Sequence, residues 1–261
     1  MNMTRAQREK HASDETDVYR HWHRLRERFS HIFESPNSQR AYHFLSDLLK
    51  QEVSGRRVLE IGCGGGAFAE RLSSFGATYV YAIDISEIRI EQAKAREVPG
   101  KLEYAIADAS QPLPSRFDVI VGQAVLHHLD YQKVLQQLVC DNLQRPGLLI
   151  FLEPLGGNWF MRLFRRFSRK AHTPDEHPFD LHDLAWLRRT FPGFLLIPFN
   201  FVSLPLSALS SLLFKRPDTH LMRIADGIDW YLARHVFWLH AYFRFAIFVI
   251  HLPASARVDS S

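Results

Sequence analysis

Three glycines at alternate positions follow a short apolar run early in the chain. Residues 57–66 read Arg-Val-Leu-Glu-Ile-Gly-Cys-Gly-Gly-Gly, and a stretch of helical character begins at Ala67. A strand, a tight turn without bulky side chains and a helix N-terminus let the backbone approach a ligand closely, with free N–H groups directed at it. The pattern predicts a site for a nucleotide-like ligand at the carboxyl end of a strand.

An acidic residue ends the next predicted strand. Residues 79–83 form this strand, and Asp84 follows them. A carboxylate here can accept hydrogen bonds from both hydroxyls of a ribose, as in dinucleotide-binding units. Read together with Ala67, the glycines also fit the G-x-G-x-x-A pattern of NAD-binding proteins, so these residues alone leave an oxidoreductase open.

Three further features separate the two kinds of cofactor site. Glu60 stands directly before the glycines, where NAD-binding units usually have an apolar residue. A third strand, 102–107, ends in Asp108-Ala109, and a fourth, 117–121, continues into Gly-Gln-Ala-Val-Leu-His-His-Leu at 122–129. In this order and spacing, the motifs of about residues 55–153 resemble those of the class I S-adenosylmethionine-dependent methyltransferases, specifically the group that modifies small molecules.

The resemblance implies that S-adenosylmethionine is the cofactor and that a defined set of residues binds it. The glycines would line its methionine and ribose parts, Glu60 would orient the loop or the cofactor ammonium, and Asp84 would hold the ribose. Asp108 and Ala109 would meet the adenine. The expected cofactor-binding residues are Glu60, Gly62, Cys63, Gly64, Gly66, Asp84, Ile85, Asp108, Ala109 and Gln123.

Some of these residues also have a purely structural interpretation. Asp84 could cap the following helix, in competition with Ser86, and Asp108 could be an ordinary turn residue. The glycines could form only a flexible turn. The joint pattern favours cofactor binding over any of these readings.

His127 and His128 are the candidate catalytic residues, because they follow the fourth strand in the segment that faces the methyl site of the resembled fold. Histidine titrates near neutral pH and could deprotonate an acceptor hydroxyl. The alternative is that His127 packs against the cofactor or backbone and His128 holds the loop. A base is not obligatory, since an already activated methyl group chiefly needs aligned reactants.

No metal ion is expected at these residues or elsewhere. The segment 172–178, His-Thr-Pro-Asp-Glu-His-Pro, brings two histidines and two acids together, but their spacing matches no metal motif. The two cysteines likewise lack metal-ligand spacing and cannot make a disulfide framework.

The composition is that of a globular domain in a reducing compartment. The chain has 261 residues, of which 46% are hydrophobic and 23% charged, with a net charge of +4. This length is enough for one α/β domain with a substantial core, and nothing in the charge demands a nucleic acid. The N-terminus is too polar for a signal peptide, and no apolar run of about 18 residues is uninterrupted, so we expect a cytoplasmic protein without a spanning helix.

Strands alternate with helical segments along most of the chain, which predicts parallel pairing with helices on both faces. Further strands are expected at 147–152, 194–202 and 243–251. A membrane-surface helix at 243–251 is the less favoured reading, because its residues are strand formers. The predicted fold is α/β, a Rossmann-like doubly wound seven-stranded sheet, mostly parallel with an antiparallel last strand, plus N-terminal helices and helical cap insertions.

The chain divides into three parts. Residues 1–54 are expected to hold a disordered tail of about a dozen residues followed by lid helices, residues 55–252 the methyltransferase domain, and residues 253–261 a flexible tail. Two cap insertions within the domain, at about 154–179 and 203–242, should build the acceptor pocket. One amphipathic lid helix is predicted from helically spaced apolar residues, and a second from Ser35-Pro36; the apolar residues are Val18, Trp22, Leu25, Phe29 and Ile32.

The first insertion contains an amphipathic stretch of its own. Phe160, Leu163, Phe164 and Phe167 form an apolar stripe, with arginines on the other faces. The stretch is an interfacial helix, a cap that attracts an anionic lipophilic acceptor, or a helix packed on the domain with a solvated basic face.

The leading hypothesis is a methyltransferase that acts on a small lipophilic acceptor, apolar or aromatic, with O-methylation favoured. Aromatic residues are dense in the expected cap, among them Trp159, Phe164 and Trp238, and would suit such an acceptor. The alternative is a membrane-surface enzyme acting on a lipid, quinone or lipid-linked sugar, with peripheral membrane contact. An NAD-dependent oxidoreductase, which no Tyr-x-x-x-Lys pair supports, and a non-catalytic cofactor-binding protein remain as weaker hypotheses.

Overall fold

A seven-stranded sheet forms the centre of the computed structural model, which describes residues 5–14, 16–167 and 176–254. The strands are β1 (Arg57–Ile61), β2 (Tyr79–Asp84), β3 (Leu102–Ile106), β4 (Phe117–Gln123), β5 (Leu143–Pro154), β6 (Phe194–Phe199) and β7 (Phe245–Leu252). Their spatial order is β3-β2-β1-β4-β5-β7-β6, and every pairing is parallel except those of β7 with β5 and β6. The predicted fold class is confirmed.

Helices cover both faces of the sheet and its carboxyl edge. The helices are α1 (Arg5–Asp14), α2 (Thr16–Arg28), α3 (His31–Glu34), α4 (Pro36–Val53), α5 (Ala67–Ser74), α6 (Glu87–Lys94), α7 (Tyr131–Gln137), α8 (Trp159–Phe167), α9 (Leu181–Thr190), α10 (Ser203–Leu213) and α11 (His220–His235). Successive strand residues enter different cores: Val58 packs with α4, α5 and α6, whereas Leu59 packs with α7 and α9. This two-sided burial explains why the strands are almost continuously apolar.

The strand predictions agree with the structure except at their ends. β5 begins earlier than predicted, at Leu143, and β6 stops at Phe199 rather than continuing to residue 202. The reason for the early stop is Asp229, whose carboxylate accepts hydrogen bonds from the backbone N–H groups of Phe201 and Val202 and so removes them from strand pairing. The segment 243–251 is a strand in its main part, which rules out the surface-helix interpretation.

The N-terminal region differs more from expectation. The first dozen residues include a helix, α1, in place of the predicted disordered tail. The single helix predicted from the apolar spacing is interrupted at Phe29-Ser30, so that α3 can direct Ile32 into a cluster with Leu204 and Ala208 of α10. The predicted side chains of Val18 and Trp22, and residues 255–261 of the expected C-terminal tail, lie outside what the structure describes.

A polar network joins α4 to the second insertion. Asp226 of α11 accepts hydrogen bonds from Asn37 Nδ2 at 2.9 Å and from Arg40 Nε at 3.0 Å. Asn37 Oδ1 in turn accepts the backbone N–H of Asn200, just beyond β6, at 2.7 Å. Residues far apart in the chain therefore form one roof above the carboxyl edge of the sheet.

The first insertion forms α8, as its periodicity predicts, but its apolar stripe is divided. Phe160 packs on the α3–α10 cluster and Phe164 faces the cavity described below, whereas Leu163 is exposed. The side chain of Phe167 lies outside the described part. Among the described residues, no helix has both the length and the apolar character that crossing a bilayer requires.

Candidate active site

A cavity of about 920 Å³ opens at the carboxyl ends of β1, β2, β4 and β5. Of the residues predicted to bind the cofactor, those that line it are Gly62, Gly64, Asp84, Ile85, Asp108, Ala109 and Gln123. Both candidate catalytic residues, His127 and His128, line the same space. The structure therefore brings residues of both predicted groups together in one cavity.

The glycine turn is held by Asp84. One carboxylate oxygen of Asp84 accepts the backbone N–H of Gly64 at 2.8 Å, and the other accepts that of Ser86 at 2.9 Å. Gly62 has a φ of +69°, and a side chain there would meet Val125 Cγ2 at 2.6 Å. At Gly64, with a φ of +51°, a Cβ would meet nothing within 4 Å. The turn is thus tight on one side and open on the cavity side.

The remaining predicted cofactor residues, Glu60, Cys63 and Gly66, do not line the cavity. Gly66 packs against the interior, since a Cβ there would lie 2.7 Å from the ring of Tyr104, whose hydroxyl donates to the Gly66 carbonyl at 2.8 Å. Burial raises the pKa of the Cys63 thiol far above its ordinary value, with smaller contributions from the charges of Glu60 and Asp84, so this thiol is inert.

Glu60 is a buried carboxyl group with an unusual ionisation. Burial, and then the charge of Asp84, raise its pKa to about 8. Its Oε2 atom is buried and has no hydrogen-bond partner among the described residues. A neighbouring cation would compensate this carboxylate.

These features fit S-adenosylmethionine, which carries a cationic ammonium and a sulfonium. The uncompensated Glu60 oxygen suits a cation, and the free space beside Gly64 suits a ligand that approaches the backbone. Asp108 is less available than expected, because its Oδ1 already accepts the N–H and hydroxyl of Ser110, at 2.8 and 2.7 Å.

His127 forms a buried pair with Glu153, at the end of β5. Its Nδ1 lies 2.8 Å from Glu153 Oε2. The Glu153 carboxylate also accepts the backbone N–H groups of Val125 at 3.0 Å and Leu126 at 2.9 Å. Burial lowers the pKa of His127, although the hydrogen bond that Nδ1 donates to Glu153 opposes this shift. The imidazole is therefore neutral at pH 7, and the Nδ1 contact leaves Nε2 to act on a ligand.

His128 is held differently, by α1. Its ring centroid lies 4.0 Å from that of His127, and its Nδ1 lies 3.0 Å from Glu9. Burial lowers its pKa, but the hydrogen bond and charge of Glu9 outweigh this and raise the pKa above the ordinary value. His128 is thus the more cationic of the two, while His127 is the candidate base.

The far side of the cavity is apolar and is built by the N-terminal helices and α8. Its apolar lining includes Leu25, Phe29, Ile32, Phe33, Met161, Phe164 and Phe245. Two arginines, Arg165 and Arg244, border the same compartment. Trp159 and Trp238, which the sequence offered for this pocket, are instead 64% and 73% exposed. The aromatic density of the cap therefore serves both a pocket and an outer surface.

Sequence reasoning missed three functional candidates, Glu153, Glu9 and Arg244. Glu153 was recognisable as the acid that ends strand five, but only the pairing of β4 with β5 brings it to His127. Glu9 lies in the segment expected to be disordered. Nothing in the sequence near Arg244 distinguishes it from a surface arginine.

One cluster has side chains of the types that bind metals, but these side chains make structural hydrogen bonds. His177, Asp180 and Asp183 offer ligand atoms within 4.8 Å of one another. Asp180 and Asp183 form the capping box of α9, and Asp183 also accepts the hydroxyl of Tyr131 at 2.7 Å. His172, the other histidine of the predicted segment, lies outside the described residues.

Comparison with known proteins agrees with this geometry. Residues 59–151 match the family model described as "Methyltransferase domain". The chain is 30% identical over 113 residues to a ubiquinone biosynthesis O-methyltransferase of Neisseria meningitidis serogroup C, covering 41% of this chain and 47% of the relative. It is 34% identical over 116 residues to the protein of the same name from Vibrio atlanticus, covering 42% and 48%. The chain thus spans about half the length of the curated relatives it matches.

A solved structure extends the likeness of the fold to almost the whole chain. The N-methyltransferase NodS of Bradyrhizobium japonicum, in complex with S-adenosylhomocysteine, matches with a TM-score of 0.55 and 16% identity over 96% of this chain and 100% of that one. At this identity the match supports the fold only. The match of residues 59–151 to the methyltransferase-domain family model agrees with the resemblance seen in the motifs, and the solved structure agrees with the predicted fold.

Proposed function

We propose that this protein is an O-methyltransferase that transfers a methyl group to a hydroxyl of a small lipophilic acceptor of the quinol type. The observation that carries the proposal is the continuity of one cavity, from the glycine turn, past the His127–Glu153 pair, into an apolar compartment. The named relatives are O-methyltransferases of ubiquinone biosynthesis, and an apolar compartment suits a quinol with a hydrophobic substituent.

The residues at the glycine turn would bind the cofactor. Gly62 and Gly64 provide close backbone approach, Asp84 holds the turn and accepts ribose hydroxyls, and Glu60 balances the ammonium. Asp108, Ala109 and Gln123 surround the adenine end. When bound, S-adenosylmethionine supplies an activated methyl group on a sulfonium, with a neutral thioether as leaving group.

His127 would act as the base for the acceptor hydroxyl. Glu153 accepts a hydrogen bond from the Nδ1–H group of His127. This contact fixes the tautomer in which Nε2 has a free lone pair. The backbone N–H groups that hold Glu153 keep the pair aligned. Because burial lowers the pKa of His127, Nε2 is unprotonated at neutral pH and can accept the hydroxyl proton as the oxygen attacks.

Activity of purified variants tests this proposal. We expect transfer of labelled methyl from S-adenosylmethionine to a quinol with a short prenyl chain, and not to its amine analogue. His127→Gln and Glu153→Gln should each lower kcat about a hundredfold or more, with cofactor affinity unchanged within about threefold. The matched control is His182→Gln, an exposed histidine of α9 outside the cavity, which should retain the wild-type rate.

The dependence on pH gives a second readout. The pKa of His127 lies below the ordinary value of about 6.5, so kcat/KM should rise with pH below neutrality and be flat above it. Full activity of His127→Gln would contradict the role of the base. Absence of S-adenosylmethionine binding would contradict the proposed function as a whole.

A second candidate function is methylation of a lipid, quinone or lipid-linked sugar at a membrane surface. Its support is an outer apolar patch formed by Trp159, Leu163, Phe237, Trp238 and Tyr242, whose exposed fractions are 64%, 48%, 68%, 73% and 38%. Asn158 Nδ2 donates to the Tyr242 carbonyl at 2.8 Å, which joins α8 to the segment after α11. Exposed Arg166 on α8 and Arg234 near the end of α11 suit an anionic bilayer.

The proposal includes a cytoplasmic location. Cys63 and Cys140 are both free, as is usual in a reducing compartment.

A further inference from the structure

Two arginines stand at the apolar end of the cavity without a counter-ion. Arg165 lies on α8 and Arg244 directly before β7, and both line the cavity. Within residues 5–14, 16–167 and 176–254, no carboxylate lies within ion-pair distance of either guanidinium. By contrast, Arg40 in the nearby roof is paired with Asp226.

Arg244 is anchored but not neutralised. Its Nη1 donates to the Ile32 carbonyl at 2.9 Å, and its guanidinium lies 4.7 Å from the ring centroid of Phe33 and 5.2 Å from that of Phe245. Burial, with a contribution from the neighbouring charge of Arg165, lowers its pKa to about 10. These contacts fix the plane of the guanidinium and leave most of its five N–H groups without a partner among the described residues.

Arg165 has even fewer contacts. Its Nε is buried and has no hydrogen-bond partner among the described residues. Burial lowers its pKa, and the charge of Glu176 partly opposes that shift. The charge of Glu176 acts on Arg165, but Glu176 does not form an ion pair with Arg165.

Two partly desolvated guanidiniums that line one cavity, with the charge of Arg165 acting on Arg244, are unfavourable for a protein to maintain without compensation. Removing a charge from water costs several kcal/mol, and like charges add repulsion. A structural role explains one donor of Arg244, but it explains neither its other donors nor Arg165. An anionic ligand between them would supply the missing acceptors, because a guanidinium binds a carboxylate or phosphate through two parallel hydrogen bonds.

We propose that Arg165 and Arg244 form an anion-binding site, and that the acceptor carries a carboxylate or phosphate group on its apolar body. The inference rests on the proposed function and specifies its substrate class. Phe29, Phe33 and Phe164 enclose the apolar part, and the arginines hold the anionic group. With that end fixed, the hydroxyl to be methylated is directed to His127.

Calorimetric binding of matched probes tests the site. The protein is first saturated with S-adenosylhomocysteine, and 4-octylbenzoate, 4-octylphenyl phosphate and the neutral 4-octylbenzamide are then titrated. We expect at least one of the anions to bind tenfold or more tightly than the amide. A charge-assisted bidentate contact strengthens affinity by about ten- to a hundredfold. Preference for the benzoate or for the phosphate distinguishes the two sources of the anion.

Variants locate the effect. Arg165→Gln should reduce the preference for the anion by about tenfold or more, and Arg244→Gln should do the same while circular dichroism reports its fold. Arg165→Gln is the safer variant, because its Nε has no partner to lose. The control Arg162→Gln removes an exposed charge from the same helix outside the cavity, and should leave the preference unchanged.

The outcomes separate the two proposals. Equal affinity for both anions and the amide, or an equal loss in Arg162→Gln, overturns the anion site while S-adenosylhomocysteine still binds. Failure to bind S-adenosylhomocysteine at all overturns the proposed function instead.

Discussion

The carboxyl group of Glu60 couples the stability of the protein to pH. Its pKa is about 8 in the fold, chiefly because of burial, against about 4.3 for an ordinary glutamate. The unfolded chain therefore releases this proton at lower pH than the folded chain does. The contribution of Glu60 to stability is fully present below about pH 4 and is lost as the pH rises towards 8.

Glu60→Gln should remove this loss. We expect the ligand-free variant to be more stable than the wild type by about 1–3 kcal/mol at pH 9, with a smaller difference at pH 6. The same variant should bind S-adenosylmethionine more weakly, since the ammonium loses its carboxylate. Thermal unfolding at both pH values and titration calorimetry measure the two effects, with the exposed Glu91→Gln as control. Equal free energies of unfolding for the variant and the wild type at pH 9 would show that ionisation of Glu60 does not destabilise the fold.

At this scale the sequence was informative where neighbours in the chain form the site. Gly62, Gly64 and Asp84 were predictable, because a strand end and a turn fix their place locally. Glu153 and Arg244 were not, because their functions arise from strand pairing and from contacts with Phe33 across more than two hundred residues. An isolated sequence contains no signal for such contacts.

Among the helices, α1 has the most direct effect on the site. Arg5 Nη2 lies 3.4 Å from the His127 carbonyl, and Glu9 binds His128. No described side chain of α1 belongs to either core cluster, and the exposed Lys10–Glu87 pair stabilises the fold little.

Deleting residues 1–14 should therefore leave the fold intact and impair the reaction. We expect the melting temperature to fall by only a few degrees and kcat/KM to fall about tenfold or more, because the cavity loses a wall that excludes water. Glu9→Gln should reproduce part of the loss, and Lys10→Gln none of it. A truncated protein with the wild-type rate would exclude α1 from the active site. Thermal unfolding and the labelled-methyl assay supply the measurements.

The helical spacing correctly grouped Leu25, Phe29 and Ile32 on one face, but did not indicate the interruption at Phe29-Ser30. Periodicity records which residues are buried, and Ile32 is buried whether the helix continues or turns. The turn depends on α10, which packs against α3 and lies far along the chain. The spacing of the α8 stripe likewise left open whether its face is packed or exposed, and Leu163 is exposed in the structure.

At the scale of the molecule, the outer apolar patch lies on both insertions, of which the first also lines the acceptor compartment. We expect the protein to co-sediment with phosphatidylglycerol vesicles and much less with phosphatidylcholine vesicles, because Arg166 and Arg234 add electrostatic attraction to apolar insertion. Phe237→Ser combined with Trp238→Ser should weaken partition about tenfold or more. The control Ile88→Ser alters an exposed apolar side chain of α6, away from the patch, with 49% exposure. Equal sedimentation of all three proteins would contradict the patch as a membrane contact.

The sheet as a whole was the most predictable part of the molecule, since alternating strands and helices admit few topologies. The roof was predictable only as two surplus segments and a pair of lid helices. The assembly of the roof depends on single polar contacts such as that of Asn37 with Asp226. The spacing of apolar residues does not predict such contacts.

The placement of β7 has a consequence for synthesis on the ribosome. β7 pairs with eight residues of β5 and six of β6, and among the described strands it alone connects β6 to the sheet. A growing chain that has already completed β1 to β5 thus exposes the hydrogen-bonding edge of β5 until the final strand emerges. Since an open edge invites pairing with other chains, the nascent protein passes through an interval in which it is complete in its cofactor-binding motifs yet vulnerable to aggregation.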